Sequence, residues 1–182
     1  MAINSLGVLA TVCAVNASLD SALHSMSEFT AVGGRAQVVE IPIGSGTALL
    51  IDDSFNATPD SVRATLKLLA EYGPQRQARR IAVLGDILHL GPASQDLHSS
   101  LAEDICLRPI HQVFTIGSEM LHLHRALPHA IRGPHASCLR ELEQLVRAYL
   151  QAGDILTIKA STPIGLGRLA ASLKSSTRHS DS

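Results

Sequence analysis

Aromatic side chains make up only 3% of the 182 residues, and tryptophan is absent. Proteins that hold single-stranded nucleic acid stack bases on aromatic platforms, so that class is excluded. Lysine is as scarce: Lys67, Lys159 and Lys174 are the whole set. With a formal charge of −1 there is no basic surface for a phosphate backbone, and no nucleic-acid partner is expected. No apolar run approaches the roughly 18 residues that cross a bilayer, so no membrane span is expected. Cysteine occurs three times, as Cys13, Cys106 and Cys138, with no C-x-x-C. An odd number at wide spacing predicts neither a disulfide framework nor a zinc site, but small buried thiols in a reducing compartment. No Lys or Arg precedes the apolar stretch Leu6 to Val15, and the first positive side chain is Arg35. A secretory leader is therefore not expected, and the location reads as cytoplasmic.

What is present suits a folded domain. The apolar fraction is 46%, and a chain of this length buries roughly 70% of its unfolded surface. Leu6, Leu9, Val12, Cys13 and Val15 fall near one helical face, and Asn16 can end that helix in the left-handed region. Ser18 is placed to cap a second helix with Leu19, Leu23 and Met26 inward. Gly33-Gly34 then breaks the chain, and a domain boundary is expected there. Beyond it, Ala36 to Ile43 and Thr47 to Ile51 read as a hairpin about Gly44-Ser45-Gly46. Further short strands, rich in β-branched residues and apolar on both faces, are expected at Ile81 to Leu84, Val113 to Ile116 and Ile155 to Ile158. Helices alternate with them: one capped by Thr58-Pro59 and stopped at Gly73-Pro74, one carrying Leu97, Leu101 and Ile105, one from Ser118, one from Ser137, and a last from Leu166 to Lys174. Residues 175–182 read as a frayed tail. The series predicts an α/β fold, a doubly wound, mainly parallel sheet, preceded by a helical segment from another domain.

Such sheets bind ligands at the carboxyl ends of their strands. Asp52-Asp53-Ser54-Phe55-Asn56 follows one strand. Its carboxylates suit ribose hydroxyls or a metal and its amide suits an adenine edge, but Asp, Ser and Asn equally favour turns and caps. Gly85-Asp86-Ile87-Leu88-His89-Leu90-Gly91 follows a second, where Asp86 and His89 fit acid–base work, ligation or a solvated loop. Lys159-Ala160-Ser161-Thr162 follows a third; a lysine with two hydroxyls suits an anion, or only solvates a strand end. G-x-G-x-x-G fails at Gly44, and neither G-x-S-x-G nor the P-loop pattern G-x-x-x-x-G-K-S/T occurs. His122, His124 and His129 lack an acidic partner that would complete a metal set.

Asp52 to Ser61 resembles the D-D-S-Y-N-A-N-P-D-S segment of the Mur ligases, in particular the D-alanyl-D-alanine-adding (MurF) type. Arg79 to Gly91 is similar to that family's R-x-I-A-V-L-G-D-M-x-E-L-G, and Ser94 and His98 fit the S-x-x-x-H that follows. Gly33 to Gln37 resembles the G-R-x-Q that opens the last domain, Ile3 to Leu6 the helix closing the central one, and Gly153 to Ser161 the G-D-x-V-L-x-K-G-S segment. The resemblance runs in order along nearly the whole chain. It implies that 1–32 is the helical end of a central ATPase domain and 33–174 a Rossmann-like C-terminal domain. The implied partners are the N-terminal and central domains, with UDP-MurNAc-tripeptide and D-Ala-D-Ala as substrates of peptidoglycan precursor synthesis. The implied reaction joins them through an acyl phosphate, with ATP and Mg2+ as cofactors and the metal held mainly by the central domain. No metal residue is expected within this chain. Lacking the P-loop, the chain is expected to be inactive alone, and a non-catalytic nucleotide- or peptide-binding module derived from such a ligase is the alternative. By the same resemblance, Arg35, Asp53 and Asn56 would serve the nucleotide, and Asp86, His89, Lys159 and Ser161 the dipeptide. Phe55 stands for the pattern's Tyr, Thr58 for its second Asn, His89 for its Glu and Ala160 for its Gly, while Thr162-Pro163-Ile164 replaces an Arg-Gly-Met-like stretch.

Overall fold

A computed structural model describes residues 2–27, 33–72 and 78–175. The chain divides into two compact units, Met1–Ala31 and Val32–Ser182.

The first unit is a pair of helices, α1 (Ala2–Ala14) and α2 (Leu19–Ser27). Asn16, at φ 53°, ends α1 as the sequence predicts. Its N–H donates to Cys13 O at 3.1 Å and that of Ala17 to Val12 O at 3.0 Å, which satisfies two of the helix's last carbonyls. Ser18 caps α2 by accepting from Ser21 N at 3.2 Å. Leu19 and Leu23, expected inward, are 42% and 47% exposed.

The second unit is a six-stranded sheet of order β1-β2-β6-β3-β4-β5. β1 (Gln37–Ile43) and β2 (Gly46–Asp52) form the predicted antiparallel hairpin about Gly44-Ser45. β3 (Arg80–Gly85), β4 (Gln112–Ile116), β5 (Arg132–Ala136) and β6 (Ile155–Lys159) are all parallel to β2. α3 (Pro59–Glu71), α4 (Ser94–Cys106) and α5 (Met120–Ala126) cover one face, burying Leu66, Leu101 and Met120 against Ala82 and Leu84. α6 (Leu139–Tyr149) and α7 (Leu166–Ser175) cover the other, burying Leu142, Val146 and Leu169 against Val83 and Ile158. The sheet is thus doubly wound, with β3 and β6 buried along their whole length, as strands between two helical layers must be.

Local chemistry sets the boundaries. Thr58 and Ser61 cap α3 reciprocally, with Pro59 at the first helical position. Ser137, expected to cap α6, instead lies one residue before the capping position, Cys138, and gives both its N–H and its hydroxyl to Glu141, at 2.7 and 2.5 Å. β5 is the strand that the sequence did not announce. Its Gly133 and Pro134 disfavour a central strand, but an edge strand needs only one ladder of hydrogen bonds and tolerates proline. The three cysteines, expected to be buried, are all exposed. The helix stop at Gly73-Pro74 and the tail at 176–182 lie outside the described residues. No described helix is long and apolar enough to cross a membrane.

Candidate functional site

β6 enters the sheet between β2 and β3 after the chain has turned back from β5. Its neighbours lead into α3 and α4 on one face, while β6 leads into α7 on the other. The loops therefore part at the carboxyl ends of these three strands and leave a crevice. A cleft of about 480 Å³ lies there, walled by Asn56, Ala57 and Thr58 after β2, Leu88, His89 and Leu90 after β3, and Ser161, Thr162 and Pro163 after β6. A Cβ at Gly85 would sit 2.9 Å from that of Ala160 and 2.8 Å from Ile164 Cγ2, so a side chain there would force the ends of β3 and β6 apart.

Among the residues singled out from the sequence, Lys159 and Asp53 meet directly. Lys159 is 3% exposed, and its Nζ donates to Asp53 Oδ2 at 2.5 Å and to Asn56 O at 3.0 Å. Asp53 also accepts from Thr65 Oγ1 at 2.5 Å and from the N–H of Ala36 at 3.1 Å. Asp52 is engaged in the same way, by Lys174 Nζ at 2.6 Å and by the Ser54 hydroxyl at 2.6 Å. Two of the three lysines are thus spent on the two adjacent aspartates. Both carboxylates are neutralised inside the protein, and the pairs fasten the 53–58 segment to β6 and α7.

Asp86 and Ser161 hold the neighbouring loop. Asp86, 4% exposed, accepts from Met120 N at 2.7 Å and so anchors the start of α5. Gly117, at φ 106°, lies against that carboxylate; a Cβ there would fall 2.3 Å from it. Ser161 N donates to Asp86 O at 3.0 Å, and Ser161 Oγ accepts from Leu88 N at 2.9 Å. His98 completes the support. It is fully buried, its Nε2 accepts from Ile87 N at 3.1 Å, and Nδ1 is 2.8 Å from Ser94 O. The backbone donor fixes the tautomer: Nε2 is the acceptor and Nδ1 carries the proton. The Ser94 hydroxyl in turn donates to Glu119 at 2.5 Å.

Three side chains stay available to a ligand. Arg35 is exposed, with its guanidinium 4.0 Å above the ring of Phe55, itself 47% exposed. The side chains of Asn56 and His89 line the cleft with no hydrogen-bond partner among the described residues. His89 sits at φ 64°, a left-handed conformation rare for a residue with a side chain and often found where a loop serves a ligand. The sequence named these residues but missed the division of labour: Arg35, Asn56 and His89 face outward, while Asp53, Asp86, Lys159 and Ser161 hold the loops. It also missed Thr162, whose hydroxyl donates to Phe55 O and closes one end of the cleft. Only the pairing of distant segments reveals that contact.

Among the described residues, no cluster of histidine, cysteine or carboxylate side chains suits a metal ion. His124 does have a partner, His135 on β5, with ring centroids 5.5 Å apart. Both Nδ1 atoms face the hydroxyl of Thr115, at 3.4 and 2.9 Å.

A doubly wound, mainly parallel sheet with a polar cleft at its switch point defines an α/β domain of the Rossmann-like kind. The sequence matches the description "Mur ligase, glutamate ligase domain" over residues 34–162, and the chain belongs to the Mur ligase family. It is similar to the UDP-N-acetylmuramoyl-tripeptide--D-alanyl-D-alanine ligases of Treponema pallidum (29% identical over 174 residues, 94% of this chain and 36% of the relative) and Bacillus subtilis (27% over 176 residues, 93% and 37%). Among solved structures, MurF from Acinetobacter baumannii superposes with a TM-score of 0.75 at 22% identity, covering 94% of this chain and 36% of that one. MurF from Thermotoga maritima, in complex with ADP, does so at 0.73 and 20%, covering 91% and 36%. The chain thus spans little more than a third of the length of these relatives.

Proposed function

We propose that the chain acts as the C-terminal domain of an ATP-dependent amide ligase that adds D-Ala-D-Ala to UDP-MurNAc-tripeptide in peptidoglycan precursor synthesis. The carrying observation is the switch-point cleft lined by the unpartnered Asn56 and His89, together with the exposed Arg35 over Phe55, all at positions that the family pattern assigns to ligands. ATP, when bound, supplies the phosphoryl group that activates the tripeptide carboxylate. Towards it this chain offers the Arg35 guanidinium for phosphate and the Asn56 amide for the ribose or base side. Asp53, which the family pattern gives to the nucleotide, holds the 53–58 segment in place through Lys159, Thr65 and Ala36 and so positions Asn56. His89 faces the dipeptide, while Asp86, Lys159 and Ser161 fix the loops around it.

The chain's residues do not fit Mg2+. Both candidate carboxylates are already paired with lysines, and no metal cluster occurs among the described residues. Metal binding belongs in this reading to the remaining two-thirds of the enzyme, as does the P-loop, so the chain alone neither hydrolyses ATP nor joins peptides. The location that follows is the cytoplasm, where nucleotide-linked precursors are made.

The test joins this chain to the remaining two-thirds of the Bacillus subtilis relative. Release of phosphate that depends on D-Ala-D-Ala is expected, with Arg35→Ala lowering turnover about tenfold or more through the loss of a charge-assisted bond. A chimera that folds yet gives no dipeptide-dependent release overturns the reading in favour of a non-catalytic binding module.

A further inference from the structure

The wall of the cleft that carries His89 hangs from two successive backbone donors. Leu88 N–H goes to Ser161 Oγ after β6, and Ile87 N–H goes to His98 Nε2 on α4, at 2.9 and 3.1 Å. His89 then turns into the left-handed region at φ 64°, Gly91 follows at 60°, and the chain enters α4, so His98 closes the loop that leads to it. The two donors differ in what could replace their partners. Leu88 is half-buried and within reach of water, whereas Ile87 is 1% exposed, and an N–H that loses its acceptor there stays without one. His98 is itself fully buried, with Nδ1 donating to Ser94 O at 2.8 Å. Only the neutral ring with its proton on Nδ1 serves both contacts; the other tautomer and the cation would set N–H against the N–H of Ile87. The Ser94 hydroxyl lies 3.3 Å from Nδ1 and is held by Glu119, which ties the ring to the approach of α5.

We propose that His98 is a positioning residue of the cleft. As a neutral imidazole it fixes the backbone at Ile87, and through it the left-handed turn that presents His89 to a ligand. It lies outside the cleft lining and touches no ligand itself. Its effect comes from accepting one hydrogen bond and not from filling the core. The two roles are separable, because an apolar side chain can perform only the second. The consequence for turnover rests on the ligase reading; the consequence for the backbone does not.

The test compares the parent with His98→Leu, which fills the space without an acceptor, and His98→Gln, whose side-chain oxygen reaches the place of Nε2. In the 182-residue chain, ring nitrogen shifts should show Nδ1 protonated and Nε2 bare, and nuclear Overhauser spectra the close HN–Hα contact of a left-handed His89. His98→Leu should speed exchange of the Ile87 amide about tenfold or more and abolish that contact, while Val83 and Leu156 in the sheet keep their protection. His98→Gln should restore both. In the ligase chimera, His98→Leu should raise the KM for D-Ala-D-Ala about tenfold and leave that for ATP unchanged, whereas a mere loss of folded enzyme lowers kcat alone. A left-handed His89 retained in His98→Leu, or a leucine variant as good as the glutamine one, overturns the inference and leaves the ligase reading standing. Should His98→Leu not fold, the other chains decide. A parent ring protonated on Nε2, or a parent Ile87 amide that exchanges as fast as that of His89, overturns the inference; a folded His98→Gln with a protected Ile87 amide supports it. A parent chimera without dipeptide-dependent turnover overturns the ligase reading only, and the inference then stands or falls on the spectra.

Discussion

Replacing Lys159 by methionine keeps the length of the side chain and removes its charge. The ammonium is 3% exposed and Asp53 is 18% exposed, so the variant strands a carboxylate that water reaches poorly. Breaking a buried ion pair from one side costs roughly 3–5 kcal/mol. Asp53 keeps the Thr65 hydroxyl and the Ala36 N–H, which places the loss at the low end, about 3 kcal/mol. That is about 150-fold in the ratio of folded to unfolded chain. Asp53→Asn should cost a similar amount, because it leaves the ammonium with Asn56 O and an uncharged amide. The double variant removes both charges and should cost about 3 kcal/mol as well, well below the sum of the single losses. The chain has no tryptophan, so unfolding in urea is best followed by far-ultraviolet circular dichroism. A Lys159→Met variant within about 0.5 kcal/mol of the parent, or single losses that simply add, would refute the claim that these charges hold each other.

Acid should loosen the outer edge of the sheet. Burial lowers both His124 and His135 from the ordinary 6.5; neighbouring charges on His135, Arg132 and Arg125 lower His124 further, while Asp86 and Glu141 partly offset the effect at His135. The unfolded chain binds protons first, so this stability is complete above pH 6.5 and is lost as the pH falls through the lowered folded values. Melting temperatures measured from pH 7.5 to about 5 should fall in the parent and flatten in a His124→Gln, His135→Gln double variant; equal slopes would contradict it. Gly117→Ala should cost at least about 2 kcal/mol, since the φ of 106° and the Asp86 carboxylate both resist a side chain. Hydrogen exchange should then quicken across α5, and unchanged protection there would count against Asp86 as its anchor.

The sequence carried the order of elements because strands buried on both faces must be apolar throughout, as Ile81 to Leu84 and Ile155 to Ile158 are. It carried the caps at Thr58 and Asn16 because those signals are local. It did not carry β5, whose Gly133 and Pro134 suit an edge but disfavour a central strand. Nor did it carry the place of β6, because spatial order is decided by packing between distant segments. The same limit applied to the site. Asp53, Asp86, Lys159 and Ser161 were recognisable as polar residues at strand ends. Whether such a residue meets a ligand or another loop depends on contacts as far apart in sequence as Asp53 and Lys159. His89 and Asn56 stand out only once every other polar group near them has been seen to have a partner.

The position of β6 has a consequence for how the molecule comes into being. The last of the described strands in chain order lies not at an edge but between β2 and β3. Until Ile155–Lys159 has left the ribosome, the hairpin β1–β2 and the ribbon β3–β4–β5 have no shared backbone bonds, and Asp53 has no ammonium to meet. The last strand is therefore the seam that turns two partial sheets into one and brings the three walls of the cleft together in the same event. A nascent chain stopped short of it holds two unsealed strand edges and no site. The three walls of the cleft thus come together in one event, once synthesis has passed residue 159.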